Sequence, residues 1–474
     1  MSNKVYITTA IPYVNGAPHV GHALDYCLAD VYARYSRLRG FEVRLQTGVD
    51  EHGNKIYQKA FDMGVPVNAY VDGNAKKFRD FIEKLDISYT DFIRTTDEAH
   101  ARMCQEIWRR LLSHIYKAEY EGWYCDGCER FITQKEYDDN SGVCPDHQKE
   151  YKKISEENYY LRISDFKDKI HKAIESDELL ILPEFRKKEV LKLLEESPDV
   201  SISRSAEQLS WGIPVPDDES QVMYVWIDAL SNYITVLGYP EENIDTWWPA
   251  EAQFVGKDIL RFHAIIWPAM LMGLGLPLPK TIISHGFVLV DGQKMSKSIG
   301  NVVDPIDVLN RHGVDAFRYY FLRHIDTFSD SDFTWEKFEA AYNNELANDL
   351  GNLVQRLATL ASKNHIAIDN DSLEYKFDSE YTKCMDKFEF SKAFDYVWGK
   401  IQGLNKRIDN EKPWALAKNG EVEKTQKCLL GLMGDLLNAN YMLSPFIPGT
   451  TSRIYEVFAG EEIAPPKTPL FPKD

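Results

Sequence analysis

Two histidines stand three residues apart near the N-terminus, in the run Pro18-His19-Val20-Gly21-His22. The run lies between an apolar stretch that predicts a strand and a longer stretch that predicts a helix. In a doubly wound sheet such a turn faces the ligand crevice, and the helix N-terminus offers unpaired N–H groups to phosphate. His19 and His22 could therefore contact a triphosphate, and Gly21 would let a nucleotide approach the backbone closely. A chance His-x-x-His pair or a metal-binding pair is the alternative.

A second group of charged and hydroxyl side chains forms the run Lys294-Met295-Ser296-Lys297-Ser298, with Gly300 after it. Lysines and hydroxyls on a glycine-flanked loop can neutralise the charge that develops when pyrophosphate leaves an α-phosphorus. We therefore take Lys294, Ser296 and Lys297 as candidate ATP ligands. A solvated surface loop is the alternative.

The spacing of four residues predicts a metal site, because Cys125-x-x-Cys128 is followed by Cys144-x-x-His147. Two such knuckles can present their ligands tetrahedrally, which suits Zn²⁺, and filling all four positions leaves no place for a catalytic water. We therefore predict a structural zinc. The chain has seven cysteines, an odd number that makes a poor disulfide framework, and unligated buried cysteines are the alternative.

The elements that must position these residues can be read from apolar spacing. Residues 5–10 predict a buried strand, residues 19–39 a helix that stops at Gly40, and residues 41–47 the next strand. A strand, a helix and a strand in succession favour a parallel sheet. A second α/β stretch covers about 223–325, with strand-like runs at 253–256, 281–284 and 287–290. The predicted fold class is α/β, with a doubly wound, Rossmann-like catalytic domain.

Changes in residue composition and in apolar spacing along the chain predict four segments. From about residue 120 the chain becomes rich in Cys, Gly, Asp and Lys, and from Thr334 apolar residues recur at helical spacing. We expect a first half of the catalytic domain at 1–118 and a connective insertion with the zinc knuckle at 119–222. The second half with the lysine loop follows at 223–332, and an all-α bundle at 333–474.

Composition narrows the class of protein. Hydrophobic residues make up 44% and charged residues 27%, which is typical of a globular chain. The formal net charge of −18 argues against an indiscriminate polyanion binder, so a nucleic-acid partner must be gripped locally. The N-terminus resembles neither a signal nor a transit peptide, so we expect a cytoplasmic location. The apolar stretch 264–279 is interrupted by proline and glycine, so we expect no membrane partner.

The two motifs in this order, on an α/β scaffold, resemble the paired signatures of class I aminoacyl-tRNA synthetases. The resemblance to the methionine-specific family extends over essentially the whole chain, through the runs at 47–53, 211–216, 224–229, 256–259 and 412–414. It implies ATP-dependent ligation of L-methionine to initiator and elongator tRNA(Met) through a methionyl-adenylate, with release of AMP and pyrophosphate. The cysteine pattern is similar to the single-knuckle form of that family.

The resemblance also assigns roles in activation. His19, His22, Lys294 and Lys297 would be catalytic, acting on ATP that is bound with Mg²⁺, and Asp50 would bind the methionine ammonium. An apolar pocket separates side chains that differ by one methylene by only about 1–3 kcal/mol, so polar groups near the thioether help specificity. Asp50 as a turn residue and the aromatics as ordinary core are the alternatives. The implied methionine pocket comprises Ala10, Ile11, Pro12, Tyr13, Trp226, Ala229, Tyr233, Ile259 and His263.

For tRNA recognition the resemblance implies that Asn352, Arg356 and Trp414 read the anticodon. An indole can stack on an unpaired base, and amide and guanidinium groups can bond base edges. The alternatives are a solvated helix face for the first two residues and a packed corner for Trp414, which follows Pro413.

Other classes fit less well. The cysteine-specific synthetase uses zinc inside its catalytic domain, and the valine, isoleucine and leucine enzymes carry a far larger editing insertion. A synthetase-like RNA-binding protein without catalysis would not need both histidines and both lysines, and a small-molecule nucleotidyltransferase would not need the helical tail.

The sequence departs from the family pattern at two places. Glu251-Ala252-Gln253 replaces the expected Asp-x-His, and the chain ends soon after Pro465-Pro466 without an oligonucleotide-binding domain. We therefore expect a monomer.

Overall fold

The computed structural model describes residues 3–125, 130–145, 148–207, 209–290, 292–294, 303–368, 373–460 and 462–473, with backbone alone at 120, 121, 130, 131, 154, 156 and 294. These residues form two compact units. The first comprises residues 1–17, 43–80 and 89–284, and the second comprises 18–42, 81–88 and 285–474.

The strands and helices have the following bounds. The strands are β1 (Lys4–Thr9), β2 (Glu42–Val49), β3 (Asp91–Arg94), β4 (Ile115–Cys125), β5 (Arg130–Ile132), β6 (Lys152–Leu161), β7 (Leu180–Leu182), β8 (Val200–Ser201), β9 (Ser203–Ser205), β10 (Pro214–Val215), β11 (Asp218–Met223), β12 (Ala252–Gly256), β13 (Thr281–His285), β14 (Val288–Val290), β15 (Gln293–Lys294) and β16 (Ser331–Phe333). The helices are α1 (Val20–Leu38), α2 (Asn54–Asp62), α3 (Val67–Lys84), α4 (Glu98–Leu111), α5 (Gln134–Asp139), α6 (Lys167–Glu175), α7 (Glu184–Glu196), α8 (Val225–Thr235), α9 (Trp267–Gly273), α10 (Pro305–His312), α11 (Val314–Arg323), α12 (Trp335–Ala341), α13 (Asn352–Lys363), α14 (Ser379–Asp386), α15 (Phe390–Glu411), α16 (Pro413–Lys418), α17 (Val422–Leu443) and α18 (Pro448–Phe458). Short 3₁₀ turns cover Leu112–His114 and Ile163–Asp165, and π-helical segments cover Phe262–Ile266 and Tyr342–Gly351.

The first unit is built on a six-stranded sheet in the order β3-β2-β1-β12-β13-β7. The strands run parallel in the pairs β1 with β12, β2 with β3, and β13 with β7. All five residues of β13 are buried, as expected of parallel strands that are covered on both faces. The predicted α/β fold with a parallel sheet is thus confirmed.

One strand of this sheet comes from an unexpected part of the chain. β7 lies inside the range 119–222 that we predicted as a connective insertion, yet its Ile181 pairs with Ile282 of β13 in the main sheet. Its three residues are too few to show a period in the sequence. A second sheet, in the order β5-β4-β6-β8 with antiparallel pairing, lies in the same range except for the start of β4 at Ile115, before the predicted boundary at 119.

The second unit is mainly helical after β16. The apolar stripes predicted from the sequence are buried: Leu353 and Leu357 of α13 and Leu432 and Leu436 of α17 are fully covered. The run at 287–290 does form a strand, β14, but it pairs with β15 and β16 in a small separate sheet rather than with the main one.

A buried ion pair lies at the centre of the second unit. The guanidinium of Arg318 on α11 donates to Asp30 Oδ2 on α1 at 2.7 Å, and both side chains are fully buried. Arg318 also donates to the carbonyl oxygens of Leu85, Pro445 and Phe446. One side chain therefore ties α1 to the segment that joins α17 and α18.

No helix among the described residues is both long enough and apolar enough to cross a membrane.

Candidate active site

His19 and His22 form the start of α1 in the second unit. The backbone N–H of Gly21 donates to His19 Nδ1 at 3.1 Å, and that of His19 donates to His22 Nδ1 at 3.1 Å. The two rings stack with centroids 3.7 Å apart. A β-carbon added to Gly21 would lie 3.0 Å from the His19 ring, so the glycine makes room for the histidine that caps the helix.

These contacts fix the tautomer of both histidines. A backbone N–H can only donate, so each Nδ1 must be an unprotonated acceptor, and the proton of each neutral ring resides on Nε2. Burial lowers the pKa of His22 well below its ordinary value, and the neighbouring His19 and His285 lower it further. The predicted phosphate-binding pair therefore lies at a helix N-terminus with its Nδ1 atoms bonded to the backbone.

Of the lysine loop, the structure describes the backbone of Lys294. Lys294 ends the two-residue strand β15, where its backbone pairs with Leu289 of β14. Its side chain, together with Ser296 and Lys297, lies outside the described residues.

Asp50 directly follows β2 in the first unit, and its side chain is buried. Its backbone N–H donates to the carbonyl of Pro12 and its carbonyl accepts from the N–H of Val14. Tyr13 and Asp50 form an isolated parallel bridge. The carboxyl ends of two parallel strands are thereby tied together, so Asp50 lies beside the predicted pocket residues that follow β1.

The remaining predicted pocket residues come from α8 and the segment before α9, also in the first unit. Tyr233 and His263 are buried, and the Tyr233 hydroxyl lies 2.7 Å from His263 Nε2. Trp226 stacks on Phe262 with ring centroids 3.7 Å apart and meets the His263 ring edge to face. Sequence reasoning did not include Phe262, although it directly precedes His263.

The tautomer of His263 follows from its two partners. Nδ1 lies 3.0 Å from the carbonyl oxygen of Ile259, which can only accept, so Nδ1 carries the proton and Nε2 accepts from the Tyr233 hydroxyl. Burial lowers the pKa of His263 to about 4. The imidazole is therefore neutral at pH 7.

Several pocket residues are apolar yet incompletely covered. Ala10, Trp226 and Ile259 pack against the core of the first unit but remain partly exposed. Ile11 and Tyr13 are also partly exposed, and Ala229 is buried. Partly exposed apolar side chains at the carboxyl end of a parallel sheet are typical of a ligand pocket.

Half of the predicted zinc ligands can be located. Cys125 and Cys144 are buried in one small cluster with Ile132 and Tyr151. The chain turns tightly at Cys144, since its carbonyl accepts from the N–H of Gln148 at 2.8 Å and its own N–H donates to Lys149. Cys128 and His147 lie outside the described residues.

A shallow pocket of about 240 Å³ opens on the helical unit around two of the predicted anticodon residues. The Arg356 guanidinium lies 5.9 Å from the Trp414 ring centre and donates to Asp409 Oδ1 at 2.7 Å. Trp414 is 43% exposed. Asn352 lies exposed one turn before Arg356 on α13 but does not line the pocket. The other lining residues, which sequence reasoning did not include, are Gln355, Thr359 and Leu360.

Comparison with known proteins gives a consistent result. The family model described as "tRNA synthetases class I (M)" matches residues 5–154 and 147–358. The methionine–tRNA ligase of Caldanaerobacter subterraneus subsp. tengcongensis is 42% identical over 475 residues, covering 96% of this chain and 74% of that protein. That of Thermotoga maritima is 39% identical, covering 97% and 76%.

Solved structures agree with these sequence matches. The Mycobacterium tuberculosis methionyl-tRNA synthetase in complex with methionyl-adenylate superimposes with a TM-score of 0.90 at 33% identity, and all of both chains is covered. The apo form of the same protein gives a TM-score of 0.84 at 31% identity, covering 100% of this chain and 98% of that one.

Proposed function

The chain belongs to the methionine–tRNA ligase family of class I tRNA synthetases, and from this premise we propose which of its residues carry each step. The protein activates L-methionine with ATP and charges tRNA with it. In the first step the methionine carboxylate attacks the α-phosphorus of ATP. A new oxygen–phosphorus bond forms, the bond to the leaving pyrophosphate breaks, and methionyl-adenylate remains.

His19 and His22 bind the triphosphate and stabilise the charge that builds up at the α-phosphorus. The observation that supports this role is the pair of Nδ1 atoms that accept backbone N–H bonds, because these bonds orient both rings at the N-terminus of α1 and place the proton of each neutral ring on Nε2, an atom that can donate to a phosphate oxygen. Preorganised donors of this kind stabilise a transition state without having to reorient. Lys294 and Lys297, with Ser296, neutralise the departing pyrophosphate, and Mg²⁺ enters with ATP.

Asp50 pairs with the ammonium of methionine, and Tyr233 and His263 meet the thioether. His263 is neutral and its Nε2 is occupied by the Tyr233 hydroxyl, so this end of the pocket presents no net charge to an uncharged sulfur. Trp226, held by its stack on Phe262, forms an apolar wall.

The experiment that tests this function is amino-acid-dependent ATP–pyrophosphate exchange, run separately with each of the twenty amino acids. We expect exchange with methionine far above all others, and only background without an amino acid. Exchange with a different amino acid alone would contradict the assignment of the pocket, and no exchange with any would contradict activation itself.

We further propose that the pocket around Trp414 takes an unpaired base of the tRNA anticodon. The supporting observation is an indole that is 43% exposed beside a guanidinium, in an acidic chain that must grip nucleic acid locally. Arg356 would exchange its bond with Asp409 for one to a base edge. The same mode would serve initiator and elongator tRNA(Met), because the two share the anticodon.

Replacing Trp414 with alanine is expected to raise KM for tRNA about 10- to 100-fold, since stacking of one base on an aromatic ring contributes about 1–3 kcal/mol. Methionine-dependent ATP–pyrophosphate exchange should be unchanged. Tyr455→Ala, which removes a comparably exposed aromatic (44%) from the same unit, is the matched control and should charge tRNA normally. An unchanged KM for tRNA in the Trp414 variant would remove the anticodon assignment.

We propose a structural zinc held by Cys125, Cys128, Cys144 and His147. The burial of Cys125 and Cys144 in one cluster fits this donor set. A bound zinc would fix these loops against each other, because such a site contributes folding energy directly.

Elemental analysis of the purified protein should find zinc at one ion per chain, and Cys144→Ser should lose it and unfold at lower temperature. Cys428→Ser, at a half-buried cysteine of the helical unit, is the control that should keep the metal. Wild-type protein that is folded and free of zinc would contradict the proposal.

We also propose that the protein is a cytoplasmic monomer. A cytoplasmic location suits an enzyme whose product is consumed by ribosomes, and the monomer expected above is tested by light scattering.

A further inference from the structure

A buried carboxylate in the first unit is bonded by two histidines from distant parts of the chain. Asp228 on α8 lies 2.6 Å from His52 Nδ1 through Oδ2 and 2.7 Å from His100 Nε2 through Oδ1. The three side chains are buried. His100 Nδ1 in turn lies 2.7 Å from the hydroxyl of Thr235. None of these residues has a role in the function proposed above.

The hydrogen positions follow from the partners. A carboxylate can only accept, so His52 Nδ1 and His100 Nε2 both carry protons and donate. His100 Nδ1 is in hydrogen-bond contact with the Thr235 hydroxyl, 2.7 Å away. Burial alone would raise the pKa of Asp228, but His52 and the hydrogen bond from His100 outweigh it, and the pKa is lowered. Asp228 is therefore an ionised carboxylate with one N–H donor on each oxygen.

A metal site is the other reading of this cluster, because ligand atoms of His100, Cys104 and Asp228 all lie within 4.8 Å of one another. Two ligands of a tetrahedral zinc with bonds of about 2.0 Å are roughly 3.3 Å apart. The separation of 2.7 Å between His100 and Asp228 is instead that of a hydrogen bond. Burial, and then Asp228, raise the pKa of the Cys104 thiol well above its ordinary value, so it stays protonated.

The position of Asp228 on its helix shows what the cluster holds. At about 100° per residue, Trp226, Ala229 and Tyr233 lie within an arc of roughly 60° on one side of α8, and Asp228 points well away from that arc. His52 and His100 therefore bond to α8 on the side of the helix that faces away from the pocket. Rotation of the helix about its axis would break both bonds.

The bond between Asp228 and His52 connects α8 to the loop that carries Asp50. His52 is two residues after Asp50, and its backbone N–H points at Asp50 Oδ1, 3.4 Å away. Gly53 follows with a φ of 108°, a conformation that favours glycine, and α2 begins at Asn54. The loop is thus held by its own turn and by the link to α8.

We propose that Asp228 is a positioning residue for methionine, which through His52 holds the loop of Asp50 at a fixed distance from the pocket face of α8, while the bond from His100 on α4 fixes its other oxygen. The two ends that it joins would bind opposite ends of the same substrate, the ammonium and the side chain. This inference rests on the proposed roles of Asp50 and the pocket. Loss of the link should weaken methionine binding more than ATP binding or the chemical step.

The test is methionine-dependent ATP–pyrophosphate exchange by Asp228→Asn, His52→Ala and His52→Asn, with KM measured for methionine and for ATP. Asp228→Asn keeps the shape but turns one acceptor into a donor, and we expect KM for methionine to rise about 10- to 30-fold. KM for ATP and kcat should change less than about threefold. His52→Ala should behave likewise, whereas His52→Asn, whose amide can donate from nearly the position of Nδ1, should restore most of the affinity.

Cys104→Ala is the matched control, because it removes a buried side chain beside His100 but no bond to Asp228. It should leave KM for methionine unchanged.

Several outcomes would overturn the inference. If the Cys104→Ala variant lost its activity and also lost a second zinc ion per chain, a metal site would replace the hydrogen-bonded cluster. Equal rises in both KM values, or an Asp228→Asn variant with normal KM, would also overturn the inference. If Asp228→Asn fails to fold, the comparison of His52→Ala with His52→Asn decides alone. A failed proposed function would show separately, as normal methionine activation by Asp50→Asn.

Discussion

Asp50→Asn is expected to lower kcat/KM for methionine-dependent ATP–pyrophosphate exchange by about 10²- to 10³-fold. Removing one partner of a desolvated charge pair costs about 2–5 kcal/mol, and about 1.4 kcal/mol corresponds to a tenfold change. Asp50 is buried, so water cannot readily replace its carboxylate. The loss should appear mainly in KM for methionine, which steady-state exchange at varied methionine measures.

The fold should survive this substitution. The bonds that hold Asp50 to Pro12 and Val14 are made by its backbone, which asparagine keeps. Asp62→Asn, at an exposed position on α2, removes the same charge from the same unit and should leave activity unchanged. An Asp50→Asn protein with a normal KM for methionine would show that another group binds the ammonium.

The second large effect concerns stability. Arg318→Met should lower the free energy of unfolding by about 3–5 kcal/mol, because it removes the buried charge partner of Asp30 and leaves three carbonyl oxygens without the Arg318 donor. Asp30 would retain its bonds from Arg34 and Ser88, so the effect is bounded. Denaturant titration monitored by circular dichroism measures the change.

Two further proteins separate this effect from simple loss of charge. Arg102→Met breaks an exposed pair with Glu241, which water and salt screen, and should change stability little. The double variant Arg318→Met with Asp30→Leu should be less destabilised than the sum of the single changes, since no uncompensated charge stays buried. A fully additive result would show that the pair contributes nothing beyond packing.

The ion pair between Arg318 and Asp30 also makes the stability of the fold depend on pH. Burial would raise the pKa of Asp30, but Arg318 and then Arg34 outweigh it and lower the pKa below its ordinary value. Such a carboxyl adds stability above its unfolded pKa, and that stability is lost as the pH falls through the lower folded value.

A structural feature of this protein could be predicted from the sequence when the residues that determine it lie close together in the chain. The strand, turn and helix around His19 were predictable, because the apolar spacing and the stop at Gly40 all lie within a few dozen residues. The capping by the His19 side chain was not part of that prediction. The stripes on α13 and α17 were predictable for the same reason. β14 was recognised as a strand but its sheet was not, since pairing partners are set by tertiary packing.

The contacts that sequence reasoning missed are those that folding alone brings together. His52 and His100 are 176 and 128 residues from Asp228, and no local pattern links them. Phe262 lies at the start of a π-helical segment, where the ordinary helical period does not apply. Gln355 lies three residues after Asn352 and Thr359 three residues after Arg356 on the same helix, so the i, i+3 neighbours of the expected contact residues were a usable signal.

Helix α1 also bears on how this enzyme can be recombined with its relatives. Its first residues present His19 and His22, and about 28 Å further along its last turn contacts the bundle, where Arg39 pairs with Asp386 and the Tyr441 hydroxyl donates to the Leu38 carbonyl. A helical bundle transplanted from another synthetase would therefore have to match the surface of α1 as well as the point at which the chain is joined. Chimeras that exchange α1 together with the bundle should tolerate the graft better than those that cut between them.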